Sequence, residues 1–341
     1  MSNEITTRVP LLDEYGNIAE AGYAKKMLFQ YDRNAIKANK LRIKEWDYYL
    51  IYNQKYAIAL TVADNSYMGM ISASFIDFDN KTEKTTSPMT FMPRGKTNLP
   101  NTSVTGDTKF KNKRVDFYFR NNHGERTLRA KMQKFDGKKD FYAEFVLYDE
   151  PNESMVIATP FAKSKHFYYN QKIVGFRAKG FAVIGDEQIT FDDDTFAILD
   201  WGRGVWTYQN TWYWSSACGL VDGKVFGFNL GYGFGDTSKA SENMLFYDGI
   251  AHKIDRVAFA IPQDGKKLAF LEEWQFASND DRLSLKFRPI LDRHSNANAL
   301  IIKSTQHQVF GRFDGWVVLD NGQKLEINNL LGFAEKVDNR W

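Results

Sequence analysis

The stretch that most restricts what this chain can fold into runs from Phe226 to Gly235. There Phe226, Phe228, Leu230, Tyr232 and Phe234 alternate with Gly227, Asn229, Gly231, Gly233 and Gly235. Successive side chains of a strand point to opposite faces, so one face is aromatic and the other almost bare backbone. A helix would scatter the aromatics and hold several glycines in its interior, each costing about 1 kcal/mol relative to alanine. The period therefore predicts a strand with something packed close to its glycine face. Upstream, Trp212 and Trp214 share a strand face, and Asp222-Gly223 has the chemistry of a two-residue hairpin turn.

The same period governs most of the chain. Val115, Phe117 and Phe119 alternate with polar or aromatic neighbours, as do Leu128, Ala130 and Met132, then Phe141, Ala143, Phe145 and Leu147. Turns are expected at Asp64-Asn65-Ser66, Asn122-His123-Gly124, Asp136-Gly137, Asp264-Gly265 and Asn321-Gly322. Lys81 to Phe110 reads as a long excursion with a poor edge strand, and residues 1–31 as an irregular arm. One short N-terminal helix is expected between Asp32 and Trp46, capped by Asp32. No helices alternate with the strands, which excludes a parallel α/β fold. The expected fold class is all-β: two consecutive antiparallel barrels, residues 1–190 and 191–341. A barrel of about eight strands leaves room for one small ligand.

Composition narrows the function. The net charge of +3 is too balanced for a nucleic-acid partner, and the 15% aromatic content suits apolar cavities. No apolar run is long enough to span a bilayer. The single cysteine, Cys218, and a start without a signal-peptide pattern point to the cytoplasm. No cofactor or metal is expected, because the five histidines and Cys218 lack ligand spacing. The expected partner is a small apolar or amphipathic molecule. Oligomeric state is not legible.

The motifs LDWGRGVW (Leu199 to Trp206), WYW (Trp212 to Trp214), NLGYGFGDTS (Asn229 to Ser238) and ENM (Glu242 to Met244) form a specific combination with HQVFG (His307 to Gly311), FYYNQK (Phe167 to Lys172) and GFAEKVDNRW (Gly332 to Trp341). In that combination the chain resembles a bacterial domain-of-unknown-function branch of the tandem lipocalin-like (calycin) proteins, distantly similar to the carotenoid hydratases. The resemblance implies two calycin barrels and no established reaction. Gly204-Val205-Trp206 matches the lipocalin G-x-W opening, with Arg340 a candidate to cover that tryptophan.

Two readings of Asp200 and Arg203 stay open. Asp200 can be a catalytic acid that protonates an alkene, with Trp212 and Trp214 facing the cation, or the two can form a buried structural pair. Asn229, Gly233, Asp236, Glu242, Asn243, His307, Tyr168 and Asn170 are candidate ligand-binding residues, against capping, packing or satisfied-histidine roles. Three functions follow: binding of a lipid-like or isoprenoid-like molecule in an aromatic cavity, a cofactor-free hydratase or cyclase-type lyase or isomerase, or a structural pair of filled barrels.

Overall fold

In a computed structural model, which describes residues 2–299 and 302–340, the chain is antiparallel β-structure throughout its two main sheets. Trp341, the last residue of the closing motif, lies outside the described residues. The first sheet runs, in hydrogen-bonded order, Thr82–Thr86, Met68–Asp77, Tyr56–Asp64, Ile43–Tyr52, Phe196–Val205, Phe167–Ile184, Lys139–Tyr148, Glu125–Asp136, Val115–Asn122, Thr108–Lys111. It curls on itself: the Thr86 hydroxyl donates to the carbonyl of Phe135 (2.6 Å), and Thr108 reaches Asp47 across the interior.

The second sheet runs Ile250–Lys253, Met244–Tyr247, Lys224–Tyr232, Gln209–Val221, Lys324–Arg340, Ile302–Val318, Leu283–Ala299, Trp274–Ser278, Val257–Ala260. Its two ends are neighbours in sequence, joined by residues 254–256, so this sheet also curls into a barrel-like form. Hairpins turn where the residues allow a left-handed backbone. His123-Gly124 and Asp222-Gly223 both have positive φ at both positions, the two-residue turn that matches strand twist.

Each barrel is filled by its own side chains. Phe117, Phe135, Phe141, Phe145, Phe191 and Trp201 pack the first, and Phe228, Trp274, Phe276, Phe287 and Phe313 the second. A third buried cluster lies between the sheets, built from the outward faces of both: Tyr48, Leu50 and Tyr52, then Val174 and Ile198, against Trp214, Cys218, Phe310 and Phe333. The N-terminal arm crosses this seam. Gly22–Ala24 pairs with Met155–Pro160 of the first sheet, while the Asn3 amide donates to the Lys239 carbonyl (2.7 Å).

One expectation is corrected. The helix over residues 32–46 is absent; Asp32 caps only a 3-10 turn, Arg33–Ala35, a second turn spans Lys40–Arg42, and Ile43 already opens a strand. Ile36, Leu41 and Ile43 lack a consistent helical spacing, and pairing of residues 43–52 with Phe196–Val205 satisfies their backbone. The change of sheet falls between Val205 and Gln209, because Phe196–Val205 pairs on both edges within the first sheet.

Candidate functional site

The glycine strand answers its own question. Phe226, Phe228 and Leu230 point into the second barrel, and Gly227, Asn229 and Gly231 face the seam. A Cβ on Gly227 would lie 2.6 Å from Val174 of the first sheet, and one on Gly231 would lie 2.5 Å from the Glu242 carboxylate. The bare face is therefore what lets the two sheets approach. The alternation ends at Gly233, whose φ of +91° swings Phe234 over to the seam side, into the cluster between the sheets.

Around that glycine face the seam holds a buried polar group. From the first sheet, Tyr168, Asn170 and Lys172 share one face of their strand, and Asp200 lies opposite Lys172 on the next. Lys172 Nζ is 2.8 Å from Asp200 Oδ1 and 3.8 Å from the centre of the Trp214 ring. Asn170 Nδ2 donates to the same Asp200 oxygen (2.7 Å), while Asn170 Oδ1 is buried without a hydrogen-bond partner. From the second sheet, Trp214 Nε1 donates to Asn229 Oδ1 (2.7 Å), and Asn229 Nδ2 donates to the Glu242 carbonyl (2.9 Å) and carboxylate (3.2 Å). Asn243 Oδ1 accepts from the Gly231 amide (2.7 Å). Glu335 accepts from Trp212 Nε1 (2.9 Å), Gln306 (2.8 Å) and Gln308 (3.2 Å).

An aromatic rim adjoins this group. Phe234 meets Trp206, Tyr168, Phe161 and Trp212 edge to face at centroid distances of 4.7, 4.8, 5.1 and 5.3 Å, and Trp46 stacks on Tyr168 at 6.4 Å. Trp46, Trp212 and Phe161 are half-buried, so the rim reaches the surface. Tyr168 belongs to both regions. Burial first, and then the charges of Glu242, Asp200 and Glu335, hold its hydroxyl protonated well above the usual tyrosine range.

Two of the buried carboxyls are raised by their surroundings. Burial raises Glu242 and Glu335 above the usual glutamate range, and the pull of Lys172 in the other direction does not overcome it. Asp200, paired with Lys172, has the partner that Glu242 lacks. A carboxylic acid raised in the fold stabilises most below its unfolded value, near 4.5, and that contribution is lost as pH rises through the folded value. Melting temperature is therefore expected to fall as pH is raised above about 5, and Glu242→Gln to flatten the fall. A variant whose melting temperature falls as steeply as that of the wild type would refute the assignment.

The seam gathers Asp200, Tyr168, Asn170, Trp212, Trp214, Asn229, Glu242 and Asn243. It excludes the rest. Arg203 is three residues from Asp200 on one strand, hence on the opposite face. It lies inside the first barrel, with its guanidinium 3.0 Å from Asp47, donating to the Trp46 and Pro100 carbonyls (2.8 Å each) and resting 4.0 Å from the Trp201 ring. The Asp200–Arg203 pair does not form. Asp236 is exposed and caps the Ser238 amide (2.9 Å), which lowers its carboxyl below the usual range. His307 faces the second barrel, 2.7 Å from Asp292 and stacked on Phe270 at 3.8 Å. Gly233 is exposed at a left-handed position, so a side chain there strains the backbone whatever the space. The guanidinium that donates to the Trp206 carbonyl is that of Arg42 (2.9 Å), while Arg340 is exposed.

Lys172, Glu335 and Gln308 were missed. Each shares a strand face with an aromatic residue: Lys172 with Tyr168, Glu335 with Phe333, Gln308 with Phe310. That was the available signal. Cys218 is buried beside the Tyr52 hydroxyl, and burial pushes its thiol up to about 12. Among the described residues no group of three or more His, Cys, Asp or Glu is arranged to hold a metal, and no helix is long and apolar enough to cross a membrane.

A family model for a domain of unknown function, DUF2804, matches residues 2–341. The chain belongs to the DUF2804 family. Among solved structures it is similar to a provisionally assigned AttH of Nitrosomonas europaea, with TM-score 0.53 and 12% identity over 91% of this chain and 96% of that one. It also matches a kievitone hydratase from Nectria haematococca, at TM-score 0.49 and 8% identity over 87% and 88% of the two chains. No curated protein matches the sequence. The likeness to the first structure establishes the all-β, lipocalin-like fold of this DUF2804 member, and at that identity nothing of its chemistry.

Proposed function

We propose that this DUF2804 chain is two lipocalin-like units, meeting near residues 206–208, whose seam binds a small amphipathic molecule. The apolar body would lie on Phe161, Trp46, Trp212 and Phe234, and a hydroxyl or carbonyl would reach Tyr168, Asn170 and Glu242. The observation that carries this reading is the meeting of a half-exposed aromatic rim with a buried polar group whose Asn170 Oδ1 lacks a partner. That oxygen, one of several buried atoms without a partner among the described residues, is the one beside the Asp200 and Tyr168 side chains and can accept from a ligand hydroxyl. The packed barrel interiors argue against a ligand inside either barrel. A cytoplasmic location belongs to the same proposal, supported by the one buried cysteine.

A second reading, a cofactor-free hydratase or isomerase, is favoured by the raised carboxyl of Glu242. The acid would give its proton to one carbon of a C=C bond. The cation left on the other carbon would face the aromatic rings, water would add its oxygen there, and the proton released would return to Glu242.

Native mass spectrometry of the purified protein, followed by tryptophan fluorescence titration with whatever small molecule is retained, tests the binding reading. Tyr168→Phe is expected to weaken binding about tenfold, the worth of one hydrogen bond in a dry site. Full-strength binding by both Tyr168→Phe and Trp212→Ala would move the site elsewhere. Turnover of the retained molecule that disappears in Glu242→Gln would decide for the enzyme.

A further inference from the structure

Away from the seam, the edge strand Met89–Phe91 lies against Met68–Met70 at the margin of the first sheet. It leaves Phe91 89% and Met89 61% exposed. The chain beyond it is strapped to the turn at 64–66. The Arg94 amide donates to the Ser66 carbonyl (3.0 Å), and the Gly95 amide and Thr97 hydroxyl donate to the buried Asp64 carboxylate (2.8 and 2.9 Å). Beside this strap is a cavity of about 410 Å³ lined by Arg33, Asn34, Lys40, Leu41, Ile43 and Arg94. Its lining carries three cations and no acid. The carboxylate that neutralises Arg33 is the buried Glu45, and the exposed Asp32 has its own carboxylate on the Asn34 amide (2.8 Å).

We propose that this margin docks on an anionic lipid bilayer, with a headgroup phosphate in the cation-lined cavity and Met89 and Phe91 in the boundary beneath the headgroups. A free anion would account for the cavity alone. A bilayer surface accounts for both features, because it offers negative charge and an apolar layer within a few ångströms of each other. The proposal does not rest on the seam.

Co-sedimentation of the full chain with phosphatidylcholine vesicles, with and without phosphatidylglycerol, is the test. Binding is expected only to the anionic vesicles and is expected to weaken with salt. Arg94→Ala should lower the affinity about fivefold, the worth of one basic residue near such a surface. Phe91→Ser should lower it about tenfold through lost apolar burial. Phe91 is exposed in the fold, so that variant's melting temperature should stay at the wild-type value. Equal binding to neutral vesicles, or unchanged affinity in both variants, would overturn the docking. So would calorimetric binding of inorganic phosphate without vesicle binding, or a concentration-dependent dimer that Phe91→Ser abolishes.

Discussion

Replacing Lys172 with methionine is expected to destabilise the protein by about 3–5 kcal/mol, measured as a shift in the denaturation midpoint at unchanged slope. Lys172 and Asp200 are both buried, their charged atoms 2.8 Å apart, with the ammonium also over the Trp214 ring. Removing the cation leaves Asp200 an uncompensated carboxylate near Glu242, and the cost of that stranded charge exceeds the net worth of the pair. The double variant Lys172→Met with Asp200→Asn should recover much of the loss, since the amide carries no charge to strand. A double variant as unstable as the single would mean that packing, not pairing, sets the effect.

The second large effect is expected at Trp214. Its ring lies between Lys172 at 3.8 Å and Phe333 at 4.7 Å, and its N–H is bonded to Asn229. Trp214→Ala should cost about 3–5 kcal/mol as a large-to-small change in a buried cluster. Trp214→Phe keeps a ring for Lys172 but removes the donor, leaving the Asn229 oxygen unsatisfied at about 1–3 kcal/mol. Equilibrium denaturation of the two variants separates the contributions. Equal losses would show that the hydrogen bond, and not the ring's volume, holds this part of the seam. At Gly231 a smaller loss is expected: Gly231→Val has to displace the Glu242 carboxylate and should overpack by about 1–3 kcal/mol in thermal or chemical melts.

Much of the candidate site is legible in the strand pattern. Tyr168 and Asn170, Trp212 and Trp214, and Asn229 fall on shared strand faces by period two alone, and the structure brings these faces together across one seam. The same period, applied one step further, would have separated Asp200 from Arg203, since residues three apart on a strand point to opposite sides. Asp236 was readable as a cap. His307 was not readable as belonging to the second barrel, because facing inward and facing a partner sheet leave the same alternation.

The sequence by itself determined that the chain is antiparallel β-structure, where its hairpins turn, and that the strand at Phe226–Tyr232 presents a bare face. Those follow from local chemistry: side-chain period, and glycine and aspartate at turns. Only the tertiary structure decided what covers each face. Phe196–Val205 is buried on both sides, with Trp201 and Arg203 in one barrel and Asp200 in the seam, so its pattern cannot say which side meets which neighbour. Lys172, Asp200, Glu242 and Glu335 come from four distant parts of the chain, and no local rule couples them. The raised carboxyls of Glu242 and Glu335 come from burial between two sheets, a property of the packed molecule that no single strand carries.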